Sequence, residues 1–197
     1  MPALLAIAGT LCSISIMQNI ENLISKIIPP DSREEREGFT NDEIISALTS
    51  EEHKAVEIRL IQMLDKKADL LIGQTLVKME SVNSLSTLLK RLELKNSPFE
   101  RIIWAGLINN LKMGDPEMEK IAFEEFEKLE FIYAIQGGIF LDLIKFDSPR
   151  INCRIELFVN HKYDLVAHHA KMVLNHNGYA DAFNEKAVHN RWWELWK

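Results

Sequence analysis

Six histidines and two cysteines are the residues of this 197-residue chain suited to metal or nucleophile chemistry. Five of the histidines fall in the last quarter: His161, His168, His169, His176 and His189. His169 and His176 are seven positions apart and share a face on any helix that holds both. A metal site needs three or four converging ligands. The chain contains neither His-Glu-x-x-His nor a Glu-x-x-His pair. A metal-dependent enzyme using this histidine-rich end is therefore an alternative reading, and no cofactor is expected. Cys12 and Cys153 match no metal spacing, and two isolated thiols suit a reducing compartment. Cys153 lies four residues after Pro149, on a seam beside Leu157, which predicts a buried, inert thiol. No Ser/His/Asp or Cys/His set assembles, so no catalytic residue is expected.

Charge and aromatic surface offer binding chemistry instead. Between Asp115 and Glu130 stand seven acidic residues, Asp115, Glu117, Glu119, Glu124, Glu125, Glu127 and Glu130, against Lys120 and Lys128, a surplus of five. Glu117 and Glu124, seven apart, share a helix face. A surface of one sign steers a partner of the other, although an ordinary solvated face has the same composition. At the end of the sequence, Trp192, Trp193 and Trp196 form an aromatic group that either covers an exposed seam or anchors a partner. The partner-binding candidates are Glu117, Glu124, Glu127, His168, Trp192 and Trp196. The whole chain carries a formal charge of −6. That argues against nucleic acid, whose recognition needs a basic footprint, and for a basic protein partner.

The elements that must position these groups read as helices throughout. With 47% hydrophobic residues the chain has material for a sizeable core, and no alternating strand pattern appears. Residues 1–20 contain no charged side chain, and the apolar pattern continues through Ile20, Leu23, Ile24, Ile27 and Ile28 to Pro29-Pro30. This stretch is a buried first helix, a membrane anchor or a signal; Thr10, Ser13 and Ser15 interrupt it and it lacks a basic n-region. A charged stretch, Asp31–Gly38, follows as a linker. Thr40-x-x-Glu43 predicts a capping box, and Ser50 predicts the cap of a helix over 51–64. Leu85, Leu88, Leu89 and Leu92, with Val82, make one stripe. Ser97-Pro98, Asp115-Pro116, Ser148-Pro149 and Asp164 each predict a helix start. The predicted seams are Ile103 and Leu107; Met118, Ala122 and Phe126; Ile139 and Leu143, in a helix over 131–146; and Val166, Ala170 and Leu174. Gln136-Gly137-Gly138 falls inside that 131–146 pattern, which suggests close packing or a kink.

Assembled, these phrases resemble HEAT-like repeats over roughly residues 82–176. In that family an Asp-Pro-x-Val-Arg-x-x-Ala phrase starts one helix and a Leu-x-x-Leu-Leu helix precedes it. Ser84 to Leu92 followed by Ser97-Pro98 to Arg101 looks like one unit, Leu141 to Pro149 like the start of another, and Phe158 to Leu174 like the last. The usual arginine is replaced by Glu119 in one copy and Ala167 in another, and the spacing is irregular. The resemblance implies an all-α, right-handed or irregular α-solenoid of antiparallel helix pairs, HEAT/armadillo-like.

The expected organisation is an apolar helix over 1–28, a charged linker over 29–40 and a helical-repeat domain over 41–197. The expected function is that of a non-catalytic protein-binding scaffold. Small acidic solenoids are similar to bacterial immunity proteins, so the most specific expectation is binding and occlusion of a toxin. The expected location is cytoplasmic. The alternative is a membrane-tethered adaptor anchored by residues 3–28.

Overall fold

The computed structural model describes residues 18–30, 32–129 and 138–175. Every regular element among them is helical, and they contain no strand. The chain is all-α. It divides into two compact units, 1–87 and 88–197.

In the first unit, α1 covers residues 18–27, α2 Arg33–Arg36, α3 Asp42–Ser46, α4 Ser50–Lys66 and α5 Leu70–Lys78, followed by a 3₁₀ turn, Val82–Ser84. Val56, Leu60 and Leu64 recur every four residues along α4 and are fully buried. α4 packs on α5, whose Ile72 and Leu76 are buried, and Ile24, Ile27 and Ile28 are buried as well. Two polar contacts tie α1 along α4: Asn19 donates to Glu52 and Arg59 pairs with Glu21 at 2.6 Å. No described helix is long and apolar enough to cross a membrane. Leu11, Ile14 and Cys12 lie outside the described residues.

The stretch after α1 is fixed by one arginine. Arg36 donates two hydrogen bonds to the Asp69 carboxylate, at 3.0 and 2.8 Å, and others to the carbonyls of Pro29 and Pro30. Asp69 in turn caps α5, accepting from the Leu71 amide. The capping box predicted at Thr40 does not form. Asn41 occupies the cap position of α3, and its side chain turns into the core, donating to the Ile27 carbonyl and the Thr75 hydroxyl. The cap of α4 is Thr49, one residue before the expected Ser50, with a complete Thr49/Glu52 box.

In the second unit, α6 (Leu85–Glu93, which carries the boundary), α7 (Pro98–Leu111), α8 (Pro116–Phe126), α9 (Ile139–Leu143, continued by a 3₁₀ turn to Phe146), α10 (Pro149–Glu156) and α11 (Asp164–Leu174) follow in order. Arg101 near the start of α7 pairs with Glu125 near the end of α8, and Asn109 near the end of α7 accepts the Asp115 amide. These contacts set α7 and α8 antiparallel. Met113 and Gly114, both at positive φ, make the reversal between them. Three further contacts link α8 to α10: Glu119 to Ser148, Phe123 to Arg150, and Glu127 to Arg154. Both series ascend together, so α10 runs parallel to α8. α9 packs on α7, and α11 packs on α9 and α10.

The core of this unit is a triangle of rings, Phe126, Phe140 and Phe158, with centroids 5.7–6.0 Å apart. Such pairs add about 0.5–1.5 kcal/mol each beyond their burial. Met118, Ala122, Ile139, Leu143, Val166 and Ala170 are buried around it, on the seams read from spacing. Other seams are rotated. On α7 the buried apolar residues are Ile102, Trp104, Ala105 and Ile108, while Ile103 and Leu107 are half-buried. On α11 Val173 is buried and Leu174 half-buried, because a 3.6-residue turn drifts off a strict four-residue spacing. Val82 is 70% exposed and leaves its stripe.

The helices predicted at Ser97-Pro98 and Asp164 start there, but with different cap chemistry: Ser97 makes no side-chain cap bond, Glu100 pairing with Lys95 instead, and the cap of α11 is Tyr163, with Asp164 its first residue. Gly138 sits at the cap of α9 with φ 76°, so the pattern over 131–146 is not one helix. Ile132, Ile135, Gln136 and Gly137 lie outside the described residues.

Candidate protein-binding surfaces

The acidic run is built on α8. Asp115 opens it, its carboxylate accepting the amides of Glu117 and Met118. The Asp115 carboxyl is held below the usual carboxylate range, first by the Lys112 ammonium and then by those two amides. From this start the helix sorts its acids by face. Glu125 turns inward, buried, and receives both Arg101 at 2.8 Å and Lys128 at 3.1 Å. Arg101 also donates to the Leu92 carbonyl, closing the end of α6. Glu119 accepts from Ser148, the cap of α10, and Glu127 pairs with Arg154 at 2.6 Å. Arg150 lies over the Phe123 ring at 3.6 Å, where a guanidinium is attracted by the ring face.

Four of the six described acids are therefore engaged inside the unit. Glu117 and Glu124 remain exposed, with exposed Lys120 between them, and neither glutamate makes an ion pair with a described residue. Glu130 lies outside the described residues. The structure thus keeps Glu117 and Glu124 together on one outward face, while Glu127, also exposed, is engaged by Arg154. The cations that spend the surplus within the unit are Arg101 and Lys128 on Glu125 and Arg154 on Glu127.

Around the histidines, His168 is exposed on α11 while His169, its ring centroid 6.1 Å away, is buried. His161 sits in the α10–α11 loop between Phe158 and Tyr163. No group of three metal-ligating side chains converges among the described residues. His176, His189, Trp192 and Trp196 lie outside them. Cys153 is exposed, against the expectation of a buried thiol. α10 buries Ile151 and Ile155 instead, so Leu157 is also carried outward, 66% exposed.

Three exposed large apolar side chains were not read from the sequence either. Leu157, Tyr163 and Leu165, within nine residues, are 66%, 45% and 43% exposed. The ring series Phe158–His161–Tyr163, with spacings of 5.9 and 5.4 Å, leads from the core to Tyr163. The only sequence signal is that large apolar residues flank the helix start in Tyr163-Asp164-Leu165.

No family model matches this chain, and no curated protein or solved structure matches it.

Proposed function

We propose that this protein is a non-catalytic protein-binding scaffold built from HEAT-like helix pairs, with a basic protein as its partner. The stacking in the second unit supports the repeat reading. In a solenoid of helix pairs, equivalent helices of successive pairs lie side by side and run the same way. Here α8 and α10, both opened by a cap-proline phrase, run parallel, α9 packs on α7, and α11 packs on α9 and α10. α7 and α8 then form one antiparallel pair, and α9, α10 and α11 continue the stack beyond it.

The observation that carries the binding reading is the outward pair Glu117 and Glu124. Internal cations satisfy Glu125 and Glu127, while these two are left facing solvent. In its most specific form the partner is a basic toxin that the scaffold occludes, as an immunity-type protein does. The test is capture from the native cell by the full chain and by a Glu117→Lys/Glu124→Lys variant in parallel. The expected result is a basic protein retained by the first, released by salt, and lost from the second. The same proteins captured by both, at any salt, would contradict the proposal.

A further inference from the structure

The segment between α1 and α4 has little apolar hold. Among the described residues from Ser32 to Ala55, Asn41 alone is buried, and Phe39, Ile44, Ile45 and Leu48 are half-buried. Polar contacts fix the segment instead, through two residues that each reach both the end of α1 and α5. Arg36 donates to the carbonyls of Pro29 and Pro30, at 3.2 and 3.1 Å, and forks onto Asp69 at the start of α5. Asn41 donates to the Ile27 carbonyl at 3.2 Å and to the Thr75 hydroxyl at 2.8 Å, and accepts from Lys78 at 3.2 Å, at the other end of α5. Lys78 also pairs with Asp42 at 2.8 Å.

The sequence explains why α1 needs these donors. A helix leaves its last four carbonyls without intrahelical partners, and Pro29-Pro30 has no N–H to offer them. Arg36 and Asn41 bring donors from outside to carbonyls at and just past that end, where a cation is also favoured by the helix dipole. The buried residues Ile24, Ile27 and Ile28 all fall at the same end. The ties at the opposite end, Asn19 to Glu52 and Glu21 to Arg59, are exposed, and exposed pairs contribute little. α4 and α5, by contrast, pack on each other and bury Val56, Leu60, Leu64, Ile72 and Leu76. We propose that residues 32–46 are a latch for α1. Arg36 and Asn41 hold its end on α5, and on their release α1 and the latch open as one unit while α4 and α5 keep their packing. Cooperative local openings of this kind are drawn from segments with few buried apolar contacts. The device sets the exposure of Ile24, Ile27 and Ile28 without unfolding the rest of the unit. It is independent of the acidic face of α8.

Amide hydrogen exchange of the full chain, read residue by residue, tests it. The reporters are Ile28, bonded to the Ile24 carbonyl, Ile45, bonded to the Asn41 carbonyl, and Leu60 and Leu64 within α4. In the native chain Ile28 and Ile45 should share one protection, at least about tenfold below that of Leu60 and Leu64. Arg36→Met removes hydrogen bonds to a charged group and should lower the protection of Ile28 and Ile45 together by about tenfold to a hundredfold. Glu57→Ala severs the bonds by which α4 holds Ser81 and Asn83 beyond α5. Those contacts persist when only the latch opens, so this variant should lower Leu60 and Leu64 by about tenfold and leave Ile28 and Ile45 unchanged. Equal protection at all four amides of the native chain would overturn the proposal. So would an Arg36→Met effect on one or neither of Ile28 and Ile45, or a Glu57→Ala effect on all four. If Arg36→Met does not fold, the native chain and Glu57→Ala decide between these outcomes.

Discussion

Glu125 and Glu127 are two residues apart on the same helical run, yet their ion pairs differ in kind. The Glu125 side chain is 8% exposed and receives Arg101 and Lys128; that of Glu127 is 42% exposed and receives Arg154. Removing one partner of a buried pair strands a charge at a cost of about 3–5 kcal/mol, whereas exposed pairs are worth about 0–1 kcal/mol. Arg101→Met should therefore lower the unfolding free energy by roughly 3 kcal/mol, moderated by Lys128, and Arg154→Met by under about 1 kcal/mol. Urea titrations of the two variants check this; equal costs would mean that Glu125 is solvated.

Asp115 gives the pH dependence. Its carboxyl is held low by Lys112 and by the helix amides, as Asp42 is by Lys78 and Thr40, and Glu52 by the Thr49 amide and hydroxyl. A carboxyl with a depressed folded pKa stabilises the fold above its unfolded value, and that contribution is lost as pH falls through the folded value. The melting temperature should thus decline as pH falls from about 5 through the usual carboxylate range and below it. Asp115→Asn keeps a capping acceptor but should flatten part of that decline. An acid limb identical in the variant would show that Asp115 contributes nothing to it.

At the scale of elements, two glycines in one hairpin should respond in opposite directions. Gly106 lies within α7, where an added Cβ would meet the Phe146 ring at 3.8 Å, an ordinary contact. Gly106→Ala should stabilise by about 0.5–1 kcal/mol through helix propensity. Gly114 ends the hairpin at φ 106°, so Gly114→Ala should destabilise by about 1 kcal/mol or more despite open space around it. Thermal melts of the pair check both signs.

The same scale shows what was legible in the sequence. Asp115-Pro116 and Ser148-Pro149 open helices where the cap chemistry places them, because an acceptor followed by a proline satisfies the first turn locally. The Thr49/Glu52 box was equally visible, but adjacent Ser50 competed for the cap. Thr40-x-x-Glu43 has the same spelling and fails, since burial of Asn41 against Ile27, Thr75 and Lys78 fixes where α3 begins. Long-range contacts override local capping there. The inward turn of Glu125 is not legible for the same reason: no local pattern says that Arg101, twenty-four residues away, will reach it. The exposed Cys153 and Leu157 follow from a seam of Ile151, Ile155 and Phe158, which spacing from Pro149 alone does not select.

For the molecule as a whole, the first unit depends on α1 for part of its core. Ile27 is fully buried and its carbonyl holds Asn41. Ile27→Ala should cost about 2–5 kcal/mol, measured by denaturant unfolding. A cost below about 0.5 kcal/mol would mean that α1 is peripheral. The second unit supplies the outward face of α8.

We propose that this face, with Glu117 and Glu124, meets a basic partner. The most direct test is the association rate with the captured partner, for the native chain and for Glu117→Lys/Glu124→Lys, across a range of salt. Exposed charges act over about 8 Å at physiological ionic strength, so reversal should slow association about tenfold at low salt. The two rates should converge at high salt, with folding stability unchanged within about 0.5 kcal/mol. Association rates that coincide at every salt concentration, while the partner still binds, would contradict the account.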